Sequence, residues 1–253
     1  MGTADDNLRW QLASYGEQLA ARYDAWFTSE PEIEATVDFL CDLAGEGPVL
    51  ELGIGTGRIA VPLASRGVAV EGIDISGAMV ARLRSKHGAE RIRVVVGDFV
   101  DSLPEGPFSL ALAVFDTLFT LDSQDELVRC LARVAERLKP GGAFVIEASV
   151  VPPGRFESGS NMRVTFLAQH EVRMEVASHD PMSQRVRFQH LIFSDDGVRS
   201  FPARVRYARP SELDLIAALA GLTMESRFGG WQREAFMGEA FMGAGRHVTV
   251  YRK

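Results

Sequence analysis

Apolar positions follow two different spacings in the part of the chain that ends at Ser149. Residues 7–27 place apolar side chains every three or four positions, which predicts a helix, and Pro31 opens a second helix. Short apolar runs then alternate with amphipathic segments, and these runs are residues 48–52, 68–73, 92–96, 108–115 and 143–148. Apolar runs that alternate with helices predict a parallel sheet covered on both faces.

The spacing changes after Ser149. Antiparallel strands are predicted at residues 164–167, 172–177, 185–193 and 198–207, with a hairpin turn at Asp195-Asp196-Gly197. A helix at 211–220 and strands at 222–228 and 247–251 follow. We therefore expect one α/β domain, formed by residues 1–149 and 209–253 with an N-terminal helical cap, and a β-rich lid inserted at residues 150–208.

Charge and composition exclude some classes of protein. The net charge is −7 and no basic face is visible in the sequence, so nucleic acid is not an expected partner. The N-terminus lacks the pattern of a signal peptide, and no apolar stretch reaches the ~20 residues that span a bilayer. We expect a cytoplasmic protein without a membrane partner. Cys41 and Cys130 have apolar neighbours, which predicts free thiols and no metal site.

A glycine-rich turn carries the first candidate chemistry. The stretch Glu51-Leu52-Gly53-Ile54-Gly55-Thr56-Gly57 follows an apolar run and precedes a helix, so its backbone can turn sharply and approach a ligand closely. A dinucleotide fingerprint needs Gly or Ala where this chain has Arg58, and a P-loop needs a Gly-Lys pair that does not follow. The acid at Glu51 suits a ligand with a positive group.

Two more motifs lie at the ends of the next strands. Asp74 and Ile75 come about 20 residues after the glycines, a spacing that puts a carboxylate beside ribose hydroxyls. Asp98 and Phe99 follow the third predicted strand. An acid and an aromatic ring at that position suit an adenine, although Asp98 is also a candidate helix cap.

Together these motifs resemble those of the class I S-adenosylmethionine-dependent methyltransferases, over residues 49–149 and the final helix and strands. The resemblance implies an α/β, Rossmann-like, seven-stranded sheet whose last strand is antiparallel to its neighbours, with helices on both faces. It also implies S-adenosyl-L-methionine as cofactor: the glycine loop wraps its methionine part, the acid binds ribose, and the Asp-Phe pair contacts adenine. The predicted cofactor-binding residues are Tyr23, Glu51, Gly53, Gly55, Gly57, Arg58, Asp74, Ile75, Asp98, Phe99 and Phe115.

The segment from Phe115 to Leu121 borders the methyl-transfer site in that family. Small-molecule N-methyltransferases, including those that act on amino sugars, have a similar segment, a tyrosine-bearing N-terminal helix and a β-rich insertion. In the amino-sugar enzymes a histidine can align with Thr120, so its absence here argues against an amino-sugar substrate and a histidine base in this segment. The sequence also lacks the double-proline motif of the nucleobase and protein-glutamine enzymes.

Three side chains are candidates for the acceptor site. Asp116 and Glu147 lie at the carboxyl ends of central strands, where open α/β sheets bind ligands, and either could hold a cationic amine. A helix cap and a hydrogen-bonded strand end are their alternative roles. His190 alternates in phase with the apolar positions of its strand, so it is either a base over the acceptor or a packed lid histidine.

We therefore predict a methyltransferase that acts on a nitrogen of a small-molecule, natural-product-like acceptor, mainly by proximity and orientation. The first alternative is an O-methyltransferase with His190 as general base. The second is a non-catalytic, cofactor-binding partner of another methyltransferase. Strand edges of the lid sheet would allow a homodimer.

A tandem copy of EAFMG occupies residues 234–238 and 239–243, between the last two predicted strands. That connection is longer than a hairpin requires. In a helix, Phe236, Met237, Ala240 and Phe241 would form one apolar stripe. A loop extension without a ligand role is the favoured interpretation.

Overall fold

The computed structural model describes residues 8–27, 29–45, 47–151, 156, 159–237 and 245–253. Its helices are α1 Leu8–Phe27, α2 Glu30–Ala44, α3 Ala60–Ser65, α4 Gly77–Arg84, α5 Gln124–Arg137 and α6 Pro210–Leu219. The strands are β1 Val49–Leu52, β2 Val70–Asp74, β3 Arg93–Val96, β4 Phe108–Ala113, β5 Leu138–Val150, β6 Ser160–Leu167, β7 Glu171–Asp180, β8 Arg185–Ser194, β9 Gly197–Arg206, β10 Thr223–Phe228 and β11 Gly245–Arg252. Short 3₁₀ turns lie at Ala89–Arg91 and Thr117–Thr120.

Seven strands form the main sheet, in the order β10-β11-β5-β4-β1-β2-β3. The last strand, β11, is antiparallel to both of its neighbours, β10 and β5. The strands β1 to β5 run parallel to one another, so their carboxyl ends meet at one edge. The predicted Rossmann-like fold is therefore confirmed, including the antiparallel last strand.

Helices cover both faces of this sheet. One face packs on α5 and α6, and α5 buries Leu127, Leu131 and Val134 in that core. The opposite face packs on α2 and α3, whose buried members include Leu40 and Leu63. Ser123 caps α5 because its side-chain oxygen accepts a hydrogen bond from the N–H of Glu126.

Two predicted boundaries were wrong. The helix expected from Gly57 begins at Ala60, because Gly57 has a φ of 75° and belongs to the preceding loop. The strand predicted at residues 143–148 begins earlier, because β5 starts at Leu138. There the backbone N–H of Gly141 donates to the carbonyl of Lys253, so the end of the chain supplies partners that the local sequence does not reveal.

The strands β6 to β9 form a second, antiparallel sheet, called the lid sheet below. Helix α1 packs between α4 and this sheet: Leu19 and Ala20 share a buried cluster with Met79 of α4 and with Ile192 and Phe201 of the lid sheet. The helix therefore joins the two sheets across the edge where the parallel strands end.

Among the described helices, none is long and apolar enough to cross a membrane. The described residues also contain no group of three or more His, Cys, Asp and Glu side chains that could hold a metal ion. Residues 238–244 lie outside the described residues, so the predicted apolar stripe of the EAFMG repeat, which needs Ala240 and Phe241, is not described.

Candidate functional site

A cavity of about 720 Å³ lies between the carboxyl ends of the parallel strands, helix α1 and the lid sheet. Eleven residues of its wall belong to α1, to the main sheet or to the turns that follow the strands of that sheet: Tyr23, Phe27, Gly53, Gly55, Asp74, Ile75, Ser76, Asp98, Phe99, Phe115 and Asp116. The lid sheet, the turn before α5 and the first turn of α5 supply others: Asp122, Glu126, Arg163, Glu175, Val186, Phe188, His190 and Arg204. The volume is that of a site for a cofactor and a small second ligand.

The glycine loop forms one end of the cavity. Gly53, Gly55 and Gly57 all have φ between 56° and 75°, a left-handed backbone conformation that residues other than glycine rarely adopt. A Cβ atom at Gly53 would lie 2.7 Å from the side chain of Thr117, and one at Gly57 would lie 2.9 Å from Leu83. A Cβ atom at Gly55 would meet nothing closer than 3.8 Å, so this residue faces open space. Gly55 is therefore the glycine that leaves room for a ligand, whereas Gly57 lies outside the cavity wall and permits close packing on α4.

Asp74 ties the glycine loop to the end of β2. Its Oδ2 atom accepts a hydrogen bond from the N–H of Gly55 at 2.8 Å, and its Oδ1 atom accepts one from Ser76, also at 2.8 Å. Burial raises the pKa of this carboxyl, and the two backbone donors oppose that effect. The side chain lines the cavity beside Ile75. This position suits the predicted contact with ribose hydroxyls.

Glu51 lies beneath the glycine loop, and its side chain is only 2% exposed. Burial raises its pKa to about 8, because the charged form loses water; Arg58 opposes this and Asp74 adds to it. Its Oε2 atom has no hydrogen-bond partner among the described residues. Neither Glu51 nor Arg58 lines the cavity. The guanidinium of Arg58 stacks on the ring of Phe115 at 4.6 Å from its centroid.

Asp98 and Phe99 line the cavity just beyond β3. The Oδ1 atom of Asp98 accepts a hydrogen bond from the N–H of Val100 at 2.8 Å, which fixes the turn. Both the predicted ligand contact and the predicted cap are therefore compatible with its position.

Helix α1 closes the cavity from above. Glu17 accepts hydrogen bonds from the hydroxyl of Ser76 and the N–H of Ala78, at the start of α4. Asp24 accepts one from the hydroxyl of Thr56 and pairs with Lys86 at 2.8 Å. Two tyrosines of the same helix, at positions 15 and 23, line the cavity. Burial raises the pKa of Tyr23 to about 12, so its phenol stays protonated.

The backbone is strained where β4 ends. Phe115 and Asp116 have φ of 57° and 62°, which is rare for residues other than glycine. The two carboxylate oxygens of Asp116 accept hydrogen bonds from the N–H and the hydroxyl of Ser149, at 2.6 and 2.7 Å. These bonds fix the orientation of the Asp116 carboxylate, and the residue lines the cavity.

The prediction that Glu147 holds an acceptor amine is not supported, because this side chain does not line the cavity. It is 5% exposed and accepts hydrogen bonds from the N–H of Phe115, the indole of Trp231 and the guanidinium of Arg246. The alternative role, a hydrogen-bonded strand end, describes its position. Glu147 supports the strained segment through its hydrogen bond with Phe115, on the side away from the cavity wall.

His190 lines the cavity from the lid sheet, where Tyr15 of α1 packs 6.3 Å away between ring centroids. Burial lowers its pKa below the ordinary value of 6.5. Beside it lie Arg163 and Glu175, which sequence reasoning missed. Their alternation within each strand assigns them a face, but only the strand register shows that they adjoin His190.

The site fits S-adenosylmethionine on two observations: Gly55 leaves open space on the cavity wall where a side chain would intrude, and the acids Asp74 and Asp98 line the same cavity at the ends of β2 and β3. The fold and the site together define a methyltransferase that uses this cofactor. When bound, the cofactor supplies a methyl group on a positively charged sulfur.

Comparisons with known proteins agree with this conclusion. The family model of the methyltransferase domain matches residues 49–142. The structure of the CcbJ methyltransferase from Streptomyces caelestis is 37% identical, with a TM-score of 0.86, over 94% of this chain and 97% of that one. Cypemycin N-terminal methyltransferase from a Streptomyces species is 27% identical over 205 residues, which are 80% of this chain and 81% of that protein.

The fold is shared more widely. CalS10 from Micromonospora echinaspora, an amino pentose methyltransferase involved in calicheamicin biosynthesis, was solved with S-adenosylmethionine bound. It is 22% identical, with a TM-score of 0.68, over 92% of this chain and 95% of that one. The chain described here belongs to the class I S-adenosylmethionine-dependent methyltransferases. Both the predicted enzyme class and the predicted cofactor are confirmed.

Proposed function

We propose that this enzyme transfers the methyl group to a nitrogen of a small-molecule amine. The observation that carries the proposal is Asp116, a carboxylate on the cavity wall between the cofactor residues and the lid sheet. Two strained residues and two hydrogen bonds from Ser149 hold it there. Strain of about 1–3 kcal/mol per residue persists only where the surrounding structure demands it, and such residues cluster at functional sites.

Asp116 suits a cationic acceptor. A carboxylate accepts hydrogen bonds only and has about four lone-pair sites, so it can accept from several donors at once. An ammonium group is attracted to such an anion, and its neutral form is the nucleophile that attacks a methyl group. The name of cypemycin N-terminal methyltransferase points to an N-terminus, where a peptide carries its free amine, and this supports the same choice.

The size of the cavity supports a small acceptor. Cofactor and acceptor must share about 720 Å³ beneath α1 and the lid sheet. Sites of about 300–1,000 Å³ are typical of small ligands. Apolar residues such as Val186 and Phe188 line the lid side together with charged ones, so the acceptor is an amine with an apolar body.

One observation favours a second candidate, O-methylation. His190 lines the cavity, and burial keeps it neutral at physiological pH because it lowers the pKa of the imidazole. A neutral imidazole could take the proton of a phenol. The third candidate, a non-catalytic partner, has no particular feature of the site in its favour.

Tyramine separates the first two candidates, because it carries an amine and a phenol in one molecule. We expect N-methyltyramine as the product, located by fragmentation in mass spectrometry, and a higher KM for Asp116→Asn. Asp125→Asn, an exposed acid at the start of α5, is the matched control. Methylation at the phenol oxygen would replace the proposal with the second candidate. Cofactor binding without methylation across a panel of amines and phenols would favour the third.

A further inference from the structure

Three side chains form a row across the inner face of the lid sheet. Arg163 of β6 is paired with Glu175 of β7, and Glu175 is paired with His190 of β8. All three line the cavity. Side chains that lie directly opposite on neighbouring strands have Cβ atoms about 4.5–5.5 Å apart, so each member of the row adjoins the next.

Arg163 fixes the carboxylate of Glu175. Its Nε and Nη2 atoms donate hydrogen bonds of 3.0 and 3.1 Å to the two carboxylate oxygens. This two-pronged arrangement holds an anion in one orientation. The side chain of Glu175 is 11% exposed, so water screens its charge only weakly. Glu175 is therefore a stationary negative charge beside His190.

The groups around His190 come from α1, β6 and β7 and from its own strand, β8. Glu175 raises its pKa, Arg163 lowers it, and burial, which lowers it, is the largest effect. From α1 the phenol of Tyr15 faces the imidazole, and burial raises the pKa of that phenol, so Tyr15 adds no charge. Phe188 packs on the other side, with ring centroids 5.2 Å apart. At neutral pH His190 is an uncharged base with an anion behind it.

We propose that His190 and Glu175 form a proton-accepting pair, in which His190 takes a proton from the acceptor ammonium and Glu175, oriented by Arg163, stabilises the imidazolium. In this step one N–H bond of the ammonium breaks, its electron pair stays on nitrogen, and the proton bonds to a ring nitrogen of His190. The positive charge moves from acceptor to imidazole, and the proton then passes to solvent. Glu175 is a positioning residue.

Methylation of an amine requires that the acceptor ammonium first lose a proton, and such a pair could accept it. An alkylammonium has a pKa of about 10, so only about one molecule in a thousand is neutral near pH 7. Burial in the cavity lowers that pKa and the Asp116 carboxylate raises it, so a base is still needed; a carboxylate that stabilises the imidazolium favours the transfer to His190. The inference rests on the proposed function for its substrate. Its electrostatic part, the effect of Glu175 and Arg163 on the pKa of His190, does not depend on the substrate.

The electrostatic part is tested by an NMR titration of the histidines in the full chain, with His190→Gln to assign the signal. Glu175→Gln should lower the pKa of His190 further, and Arg163→Gln should raise it, because the two charges act in opposite directions. Glu171→Gln on the same strand, whose carboxylate pairs with Arg173, is the control and should leave it unchanged. If neither charge variant shifts the pKa of His190, or both shift it the same way, the pair does not exist.

The catalytic part is tested by the dependence of kcat/KM on pH with tyramine. In the wild type, kcat/KM should rise with pH as His190 loses its proton, at a pH below 6.5. We call this rise the acidic limb of the profile, and Glu175→Gln should move it to lower pH. His190→Gln should remove the limb and lower the rate at pH 7 by about 100-fold or more, with recovery toward the pKa of the amine. Unchanged profiles in both variants would overturn the inference even if the amine is methylated.

A phenol product from the wild type would reject the proposed function alone, since the same limb then tests the pair against a phenol proton. If neither group of tyramine nor any amine of the panel is methylated, both the function and the pair are rejected. Binding of S-adenosylhomocysteine, measured by calorimetry, should be equal in all variants. It shows that loss of rate does not arise from loss of fold.

Discussion

The backbone N–H of Phe115 donates a hydrogen bond of 2.9 Å to the carboxylate of Glu147, 32 residues further along the chain. The other oxygen of that carboxylate accepts from Trp231 and Arg246. One buried acid thus connects the strained end of β4 with β5, β11 and the segment after β10. Phe115 and Asp116, which line the cavity, are thus supported by a residue that does not line it.

Glu147→Ala should lower the free energy of unfolding by about 1–3 kcal/mol for each of two donors left without an acceptor, the N–H of Phe115 and the indole of Trp231, while Arg246 keeps its ion pair with Glu32. It should also lower kcat, since Phe115 and Asp116 lose their support. Urea unfolding and initial rates measure the two effects. Glu225→Ala removes an acid from an exposed ion pair with Arg252 and should cost about 1 kcal/mol or less. Equal losses in the two variants would contradict this role.

Glu51 should make stability depend on pH. Its pKa is raised to about 8 in the folded protein, against 4.5 for the ordinary carboxyl. Between these values the folded state holds a proton that the unfolded state has lost, so stability falls as pH rises through this window. Glu51→Gln should flatten that slope, which unfolding curves at pH 5 and pH 8 measure. An equally steep slope in the variant would show that Glu51 is not the group responsible.

Cofactor binding should release a proton from Glu51 near pH 7. A positive ligand in the adjacent loop lowers the pKa of the carboxyl, so part of the bound proton is lost to solvent. Calorimetry in buffers of different ionisation enthalpy counts the protons released. Glu51→Gln should abolish that part of the release, and a count equal to that of the wild type would contradict the prediction.

Asp74→Asn should weaken binding of S-adenosylmethionine by roughly 10- to 100-fold, because hydrogen bonds to a charged group contribute about 1.5–3 kcal/mol. The variant affects the loop as well, since the carboxylate accepts from Gly55 and Ser76. Gly55→Val should abolish binding by filling the open space at that glycine. Asp38→Asn, at an exposed acid of α2, is the control for calorimetry. Unchanged affinity in both site variants would reject the assignment of the loop.

Asp24→Asn should loosen α1 over the cavity. The acid joins that helix to Thr56 of the glycine loop and to Lys86. We expect binding of S-adenosylmethionine about 3- to 10-fold weaker, as for the loss of one or two partly exposed polar contacts. Faster hydrogen exchange confined to α1 would accompany it. A change in affinity without any change in exchange would locate the effect elsewhere.

Deleting residues 239–243 should preserve fold and cofactor affinity, since the repeat is interpreted as a loop extension. Circular dichroism and calorimetry measure these two properties. A changed preference among acceptor amines would show instead that the repeat lines the acceptor site.

The sequence by itself determined the class of fold and half of the site. Apolar runs alternating with helices require a parallel sheet, and parallel strands bring their carboxyl ends to one edge. For that reason Gly55, Asp74 and Asp98 could be placed in one cavity from short motifs alone. Each motif is local, because the residue and the strand that positions it are adjacent in the chain.

Tertiary structure alone decided the acceptor side. The partners of Glu147 lie up to 99 residues away, and no periodicity indicates that Arg246 and Trp231 meet it. The period of two placed His190 on the inner face of its strand but gave no register, and it is register that puts Glu175 beside it. Burial then changes what such side chains do: it lowers the pKa of the His190 imidazole and raises the pKa of the Glu51 carboxyl.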